Sequence, residues 1–282
     1  MNYFNYNGKI FAETETIIGP ANRGLRYGDG IFETIKLRNG ALVLKDEHFA
    51  RFWKGLQLLQ FDIPKLWSPE KFEEQILQLA NKNKTASARV RLTVIRGEGG
   101  LYDLKDNIPN YIIETITLAE STGNFNENGL ELCIYKDAVK AIDAFSNIKH
   151  NNYLPYLMGA LFAKKNQCND ALILNSNGNI CDSTIANVFL IKDENICTPA
   201  LTEGCVAGIM RKWVIEKIRE QGFPVNEKIL TKDDLLNGDE IFLSNSIYNI
   251  RWVNSVENKK YTNIFTKKIT LELFKNYPQE FC

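Results

Sequence analysis

The chain has 282 residues, 44% of them hydrophobic, with 34 Lys and Arg against 34 Asp and Glu. That is enough apolar content for a sizeable core divided between two domains, and the balanced charge gives no electrostatic reason to expect nucleic acid or an anionic membrane as a partner. There are only two histidines, His48 and His150, and the six cysteines (Cys133, Cys168, Cys181, Cys197, Cys205 and Cys282) form no Cys-x-x-Cys pair. A histidine-ligated metal, a zinc site and a disulfide frame are therefore not expected. The first residues lack the basic and apolar regions of a signal peptide, and no apolar run reaches membrane-spanning length. A cytoplasmic protein with reduced thiols is the expectation.

In chain order, Asn7-Gly8 and Asn39-Gly40 mark two hairpins, because both turn residues must tolerate positive φ. The spacing of Phe49, Phe52, Trp53, Leu56 and Leu59 predicts a helix from Asp46 to Gln60, with Asp46 as its cap. Ser68-Pro69 opens a second helix that buries Phe72, Ile76, Leu79 and Ala80. Residues 88–95 and 110–118 read as strands, separated by a glycine-rich loop. The polar run 119–129 is the best boundary, giving domains 1–118 and 130–282 with a linker between them. Beyond it, helices are expected over 153–167 and 208–221, strands over 170–175, 186–192 and 240–245, and one last helix in the tail.

Histidine chemistry being poorly supported, the lysine at Lys149 and the carboxylate at Asp182 draw attention. A lysine amine forms a Schiff base with an aldehyde cofactor, and a carboxylate keeps a pyridine nitrogen protonated. The loop 198–208 runs straight into a helix, where the backbone N–H groups of Ile209 and Met210 suit a phosphate; an ordinary loop before a helix is the plainer alternative. Arg51 borders the apolar stripe of its helix and suits either a phosphate or the surface. Ser246, closing an apolar strand, offers a hydroxyl or ends a turn. Arg96 falls on the apolar face of its strand, where a lone charge needs either a protein partner or a ligand carboxylate. Tyr27 and Phe32 suit a pocket wall or the core. Arg89 and Arg91, on the opposite face, read as solvent or interface charges.

The ordered segments R-Y-G-D-G-I-F-E-T-I, H-F-A-R, V-I-R-G, N-I-K-H-N-N-Y-L, G-N-I-C-D-S-T-I-A-N-V-F and G-C-V-A-G-I-M-R together resemble the class IV aminotransferases. These are the fold-type IV pyridoxal-phosphate (PLP) enzymes, which include branched-chain and D-amino-acid aminotransferases and aminodeoxychorismate lyase. The resemblance implies an α+β chain of two domains, a small N-terminal α/β domain and a larger, β-barrel-like C-terminal domain with helices. It implies Lys149 as the Schiff-base lysine, with Arg51, Asp182, Ile209, Met210, Ser246 and Tyr153 around the cofactor, and Tyr27, Phe32 and Arg96 around the substrate. It further implies a homodimer acting on a small amine or amino acid. Asp182 stands where the family has glutamate, and Met210 where many members have threonine. The segments are most similar to those of the lyases, which make 4-aminobenzoate and pyruvate for folate synthesis, although Leu101 stands where several lyases have arginine. An amino-acid aminotransferase and a PLP-binding homologue with impaired catalysis are the alternatives.

Overall fold

Strand pairing organises two sheets in a computed structural model that describes residues 2–281; Cys282, one of the six thiols, lies outside the described residues. One unit holds the chain through Thr122 together with Ile148–Tyr153, and the other holds Gly123–Asn147 and everything from Leu154 on. The expected boundaries 1–118 and 130–282 differ from this division at one informative place: the segment carrying Lys149 belongs with the first sheet.

The N-terminal unit contains β1 (Tyr3–Tyr6), β2 (Lys9–Ala12), a short α1 (Arg23–Tyr27), β3 (Gly30–Arg38), β4 (Ala41–Leu42), α2 (Lys45–Leu58), α3 (Pro69–Lys82), β5 (Ala88–Arg96) and β6 (Pro109–Thr117). Its sheet has the order β2-β1-β6-β5-β3-β4, antiparallel throughout. Alternation along the strands turns Ile35, Val90, Leu92 and Ile113 to one face, where they pack with Phe49, Phe52 and Leu56 of α2 and Phe72, Ile76 and Leu79 of α3. Each fully buried phenylalanine there contributes about 2–3 kcal/mol. Ser68 caps α3 as expected, its hydroxyl accepting from the Lys71 N–H at 3.2 Å. Asp46 does not cap α2: Leu44 occupies the cap in a left-handed conformation (φ 52°), and Asp46 sits in the first turn, where its charge favours the helix dipole.

The C-terminal unit contains β7 (Leu130–Lys140), α4 (Leu154–Lys165), β8 (Asp170–Asn175), β9 (Ile180–Ser183), β10 (Asn187–Lys192), β11 (Asn195–Pro199), α5 (Ile209–Glu220), β12 (Val225–Lys228), α6 (Lys232–Asn237), β13 (Glu240–Asn245), β14 (Asn249–Val256), β15 (Lys259–Lys260) and α7 (Ile264–Asn276). The order is β12-β11-β10-β13-β14-β7-β8-β9, with β15 on β14. β9 also packs against β10 and β11, so the sheet curls back on itself, in agreement with the barrel-like expectation. β8, β9, β10 and β13 are buried along nearly their whole length, which is why β8, β10 and β13 carry continuous apolar runs rather than alternating ones.

Candidate active site

Each unit carries its own constellation. In the N-terminal unit the segment bearing Lys149 behaves as an extra strand on the edge of β3. The Phe32 N–H donates to the Lys149 carbonyl at 2.8 Å and the Asn151 N–H to the Gly30 carbonyl at 2.9 Å, with Ile31 bridged to His150. Gly30 permits this approach: a Cβ there would lie 2.0 Å from the Val94 carbonyl oxygen and 2.6 Å from Asn151 Nδ2. So held, Lys149 lays its Nζ 4.4 Å from the centre of the Phe32 ring and 5.4 Å from that of Tyr153. The two rings meet edge to face at 5.4 Å. The guanidinium of Arg91 lies over the same Phe32 ring at 3.9 Å, a cation–π contact. Burial pulls the Arg91 guanidinium below its ordinary pKa, with its cross-strand neighbour Glu114 opposing. Arg91 is thus a candidate site residue, not a plain surface charge.

On the helix-covered side, Arg51 is clamped by a buried carboxylate. Its Nε donates to Glu33 Oε1 at 2.8 Å and its Nη2 to Glu33 Oε2 at 2.6 Å, while His48 Nδ1 lies 2.7 Å from the same Oε2. Burial alone would raise the Glu33 pKa, but the Arg51 ion pair and the hydrogen bonds of Arg51 and His48 outweigh it and leave it at about 2. Burial lowers the pKa of His48 despite Glu33, and its Nε2 is buried without a partner among the described residues. A bidentate pair with a buried carboxylate fixes the orientation of the Arg51 guanidinium.

Two expected substrate residues go elsewhere. Arg96 is on the apolar face, as its spacing predicts, but that is the face the helices cover, while Phe32 and Arg91 stand on the other. Its Nε donates to Asp29, its Nη1 to Asn107 Oδ1 at 2.7 Å, and its Nη2 to the Leu59 carbonyl. A protein partner therefore takes the place expected of a ligand carboxylate. Tyr27, 45% exposed, lies under the Arg23 guanidinium and lines a cavity with Arg96, not with Phe32.

In the C-terminal unit Asp182 is 2% exposed and heavily bonded. Its Oδ2 accepts from Lys140 Nζ at 3.1 Å, Tyr156 Oη at 2.7 Å and the Val206 N–H at 3.0 Å; its Oδ1 accepts from Asn187 Nδ2 at 2.9 Å. Oδ2 is thus filled, and Oδ1 keeps a lone pair for a further donor. Asn187 Nδ2 also donates to the Val206 carbonyl at 2.8 Å, fastening the carboxylate to the loop that enters α5 three residues later. Gly208, the residue before that helix, must lack a side chain, since a Cβ would lie 2.0 Å from Asn187 Oδ1. No side chain caps α5, and the N–H groups of Ile209 and Met210 have no acceptor among the described residues. Ser246 lies in the turn between β13 and β14, its hydroxyl unbonded among the described residues. Burial pushes the neighbouring Cys205 thiol up to about 12 and raises Cys181 strongly, so neither is a nucleophile.

Glu33, Arg91, Lys140, Tyr156 and Asn187 were missed from sequence. Glu33, flanked by Ile31, Phe32, Thr34 and Ile35, is a lone charge in an apolar stretch, the signal that singled out Arg96, whereas Lys140 closes a strand that also carries Glu131, Lys136 and Asp137 and gives no such signal. The residues fit pyridoxal phosphate: a fixed carboxylate with an open lone pair suits a protonated pyridine nitrogen, and the uncapped amides beside Gly208 suit a phosphate.

Comparison with known proteins agrees. The branched-chain amino acid aminotransferase of Escherichia coli superposes with a TM-score of 0.87, covering 99% of this chain and 95% of its own at 23% identity, which shows a fold-type IV architecture. The profile of the family described as amino-transferase class IV matches residues 30–256, and the chain belongs to that family of PLP-dependent enzymes. Among its relatives are an aminodeoxychorismate lyase of Vibrio harveyi, 29% identical over 87% of this chain and 90% of the relative, and a D-alanine aminotransferase of Bacillus licheniformis, 26% identical over 90% and 88%.

Proposed function

We propose that the chain is a 4-amino-4-deoxychorismate lyase, releasing pyruvate and 4-aminobenzoate. The observation that carries this reading is the Phe32 ring, with the Lys149 amine and the Arg91 guanidinium on it at 4.4 and 3.9 Å. It offers one substrate an amine that handles protons and a fork that takes a carboxylate. The ring is a phenylalanine where D-amino-acid aminotransferases usually have tyrosine.

Bound pyridoxal phosphate supplies an electron sink for the charge left when a proton leaves the amine-bearing carbon. Lys149 would provide the amine that links to the cofactor and would take that proton. Asp182 would pair with the pyridine nitrogen through Oδ1, its carboxylate fixed by the bonds of Lys140, Tyr156 and Val206 to Oδ2. Ile209, Met210 and Ser246 would receive the phosphate, with Arg51 assigned to it by the family resemblance, and Tyr153 borders the Lys149 amine. Delivered to the departing three-carbon group, which leaves as pyruvate, that proton would balance an elimination; delivered to the cofactor, it would balance a transamination. The same residues therefore serve an amino-acid aminotransferase, the second reading, supported by the relatives of that activity.

The test offers aminodeoxychorismate and, separately, D- and L-amino acids with 2-oxoglutarate. Pyruvate with 4-aminobenzoate supports the lyase; glutamate formed from an amino acid in place of these products overturns it in favour of the second reading. Lys149→Ala removes both turnover and the borohydride-fixed cofactor, and turnover retained in that variant refutes the assignment of the lysine. Visible cofactor absorbance without turnover of any amine identifies a homologue with impaired catalysis.

A further inference from the structure

A cavity of about 450 Å³ on the helix-covered side of the N-terminal sheet takes no part in the chemistry above. Two arginines line it, Arg23 at 8% and Arg96 at 6% exposure, and they share a single carboxylate, Asp29. The three charges leave an excess of one positive in a largely desolvated place, where burial is unfavourable unless an anion balances it.

The hydrogen bonds show which groups remain to be filled. Arg96 uses Nε, Nη1 and Nη2 on protein acceptors. Arg23 uses Nε on Asp29 at 2.8 Å and Nη1 on the Gly100 carbonyl, and its Nη2 has no acceptor among the described residues. Asn107 accepts from Arg96 through Oδ1, which fixes the amide's orientation and turns Nδ2, a pure donor, to other use. Gln60 and the Tyr27 hydroxyl add further donor groups to the lining. Asp29, the one acidic side chain lining the cavity, is engaged by both arginines. A donor-rich, acceptor-poor cavity with excess positive charge recognises an anion.

We infer that this cavity is a binding site for a small carboxylate or phosphate monoanion, held by Arg23 Nη2 and Asn107 Nδ2. Phe32 and Arg91 stand on the opposite face of the sheet, and neither Arg51 nor Lys149 lines the cavity, so its occupancy is separable from that of the cofactor residues.

The test is thermal unfolding of the chain saturated with pyridoxal phosphate, so that any phosphate cradle is filled, titrated with sodium phosphate, sodium acetate or, at matched ionic strength, sodium chloride. Phosphate or acetate, or both, should stabilise saturably with a low-millimolar midpoint, the effective salt identifying the anion class. Asn107→Asp keeps the acceptor for Arg96 and replaces the free donor with a negative charge, so it should raise the midpoint at least about tenfold. Gln60→Leu, which removes a lining amide but leaves the backbone carbonyl that accepts from Arg96 at 3.4 Å, should raise it several-fold and serves if the first variant fails to fold. A response equal to that of chloride, or unchanged in both variants, overturns the site. Because the readout is the difference between wild type and variants in anion binding, it does not depend on which reaction the enzyme performs.

Discussion

Replacing Glu33 by glutamine tests whether the buried clamp on Arg51 is an ion pair with the strength its geometry implies. The fall in the Glu33 pKa from 4.5 to about 2 corresponds to about 3 kcal/mol of stability at about 1.4 kcal/mol per unit. A depressed carboxyl contributes that stability fully above its unfolded value and loses it as pH falls through the folded one, so the window runs from about pH 5 down to about pH 2. Glu33→Gln has no proton to bind there. The gap between wild type and variant should therefore close from about 3 kcal/mol at pH 7 to about 1 kcal/mol at pH 3. Hydrogen exchange at amides of β3 and α2, corrected for intrinsic rates at each pH, reads the N-terminal unit directly. Parallel profiles of the two proteins across this window would refute the ion pair as the source of the shift.

Lys140→Met leaves the buried Asp182 charge with three neutral donors and should destabilise the C-terminal unit by about 2–4 kcal/mol in denaturant unfolding, with Lys140→Arg recovering most of it. Gly208→Ala forces Asn187 away from Asp182 and closes the approach to α5; fluorescence titration should show pyridoxal phosphate bound at least about tenfold more weakly. Phe72→Ala empties the centre of the aromatic cluster formed by Phe49, Phe52, Trp67 and Tyr111 and should cost about 3–5 kcal/mol in the same unfolding measurement.

The strongly periodic elements were legible in the sequence, and so was the ordered set of motifs. α3 begins where Ser68-Pro69 places it, and the stripe of Met210, Trp213, Val214 and Ile218 is the buried face of α5. What stayed hidden depends on long-range pairing. β7 has no clean alternation because much of its length is buried on both faces, and the short β9, β11 and β12 are held as strands only by their neighbours. Arg96 shows why a face does not identify a partner. Alternation correctly put it among Val90, Leu92 and Val94, yet the carboxylate it meets, Asp29, comes from the loop before β3. Arg91 shows the reverse: its face suits a solvent or interface charge, and no local pattern indicates that its guanidinium lies on the Phe32 ring, beside which the Lys149 segment pairs. Asp182 was placed by its motif, whereas Lys140 and Tyr156, which grip it, come from distant parts of the chain that no local pattern connects.

The pairing of the Lys149 segment with β3 has a consequence for synthesis. As the chain leaves the ribosome, β3 can find β5 and β6 once the first 122 residues are out, but its backbone at Gly30 and Phe32 stays open until Asn151 emerges. An open strand edge recruits other strands, and closing it by a contact so remote in sequence is slow. A nascent chain stalled or cut between Thr122 and Ile148 would therefore expose that edge, the position at which aggregation during expression should begin.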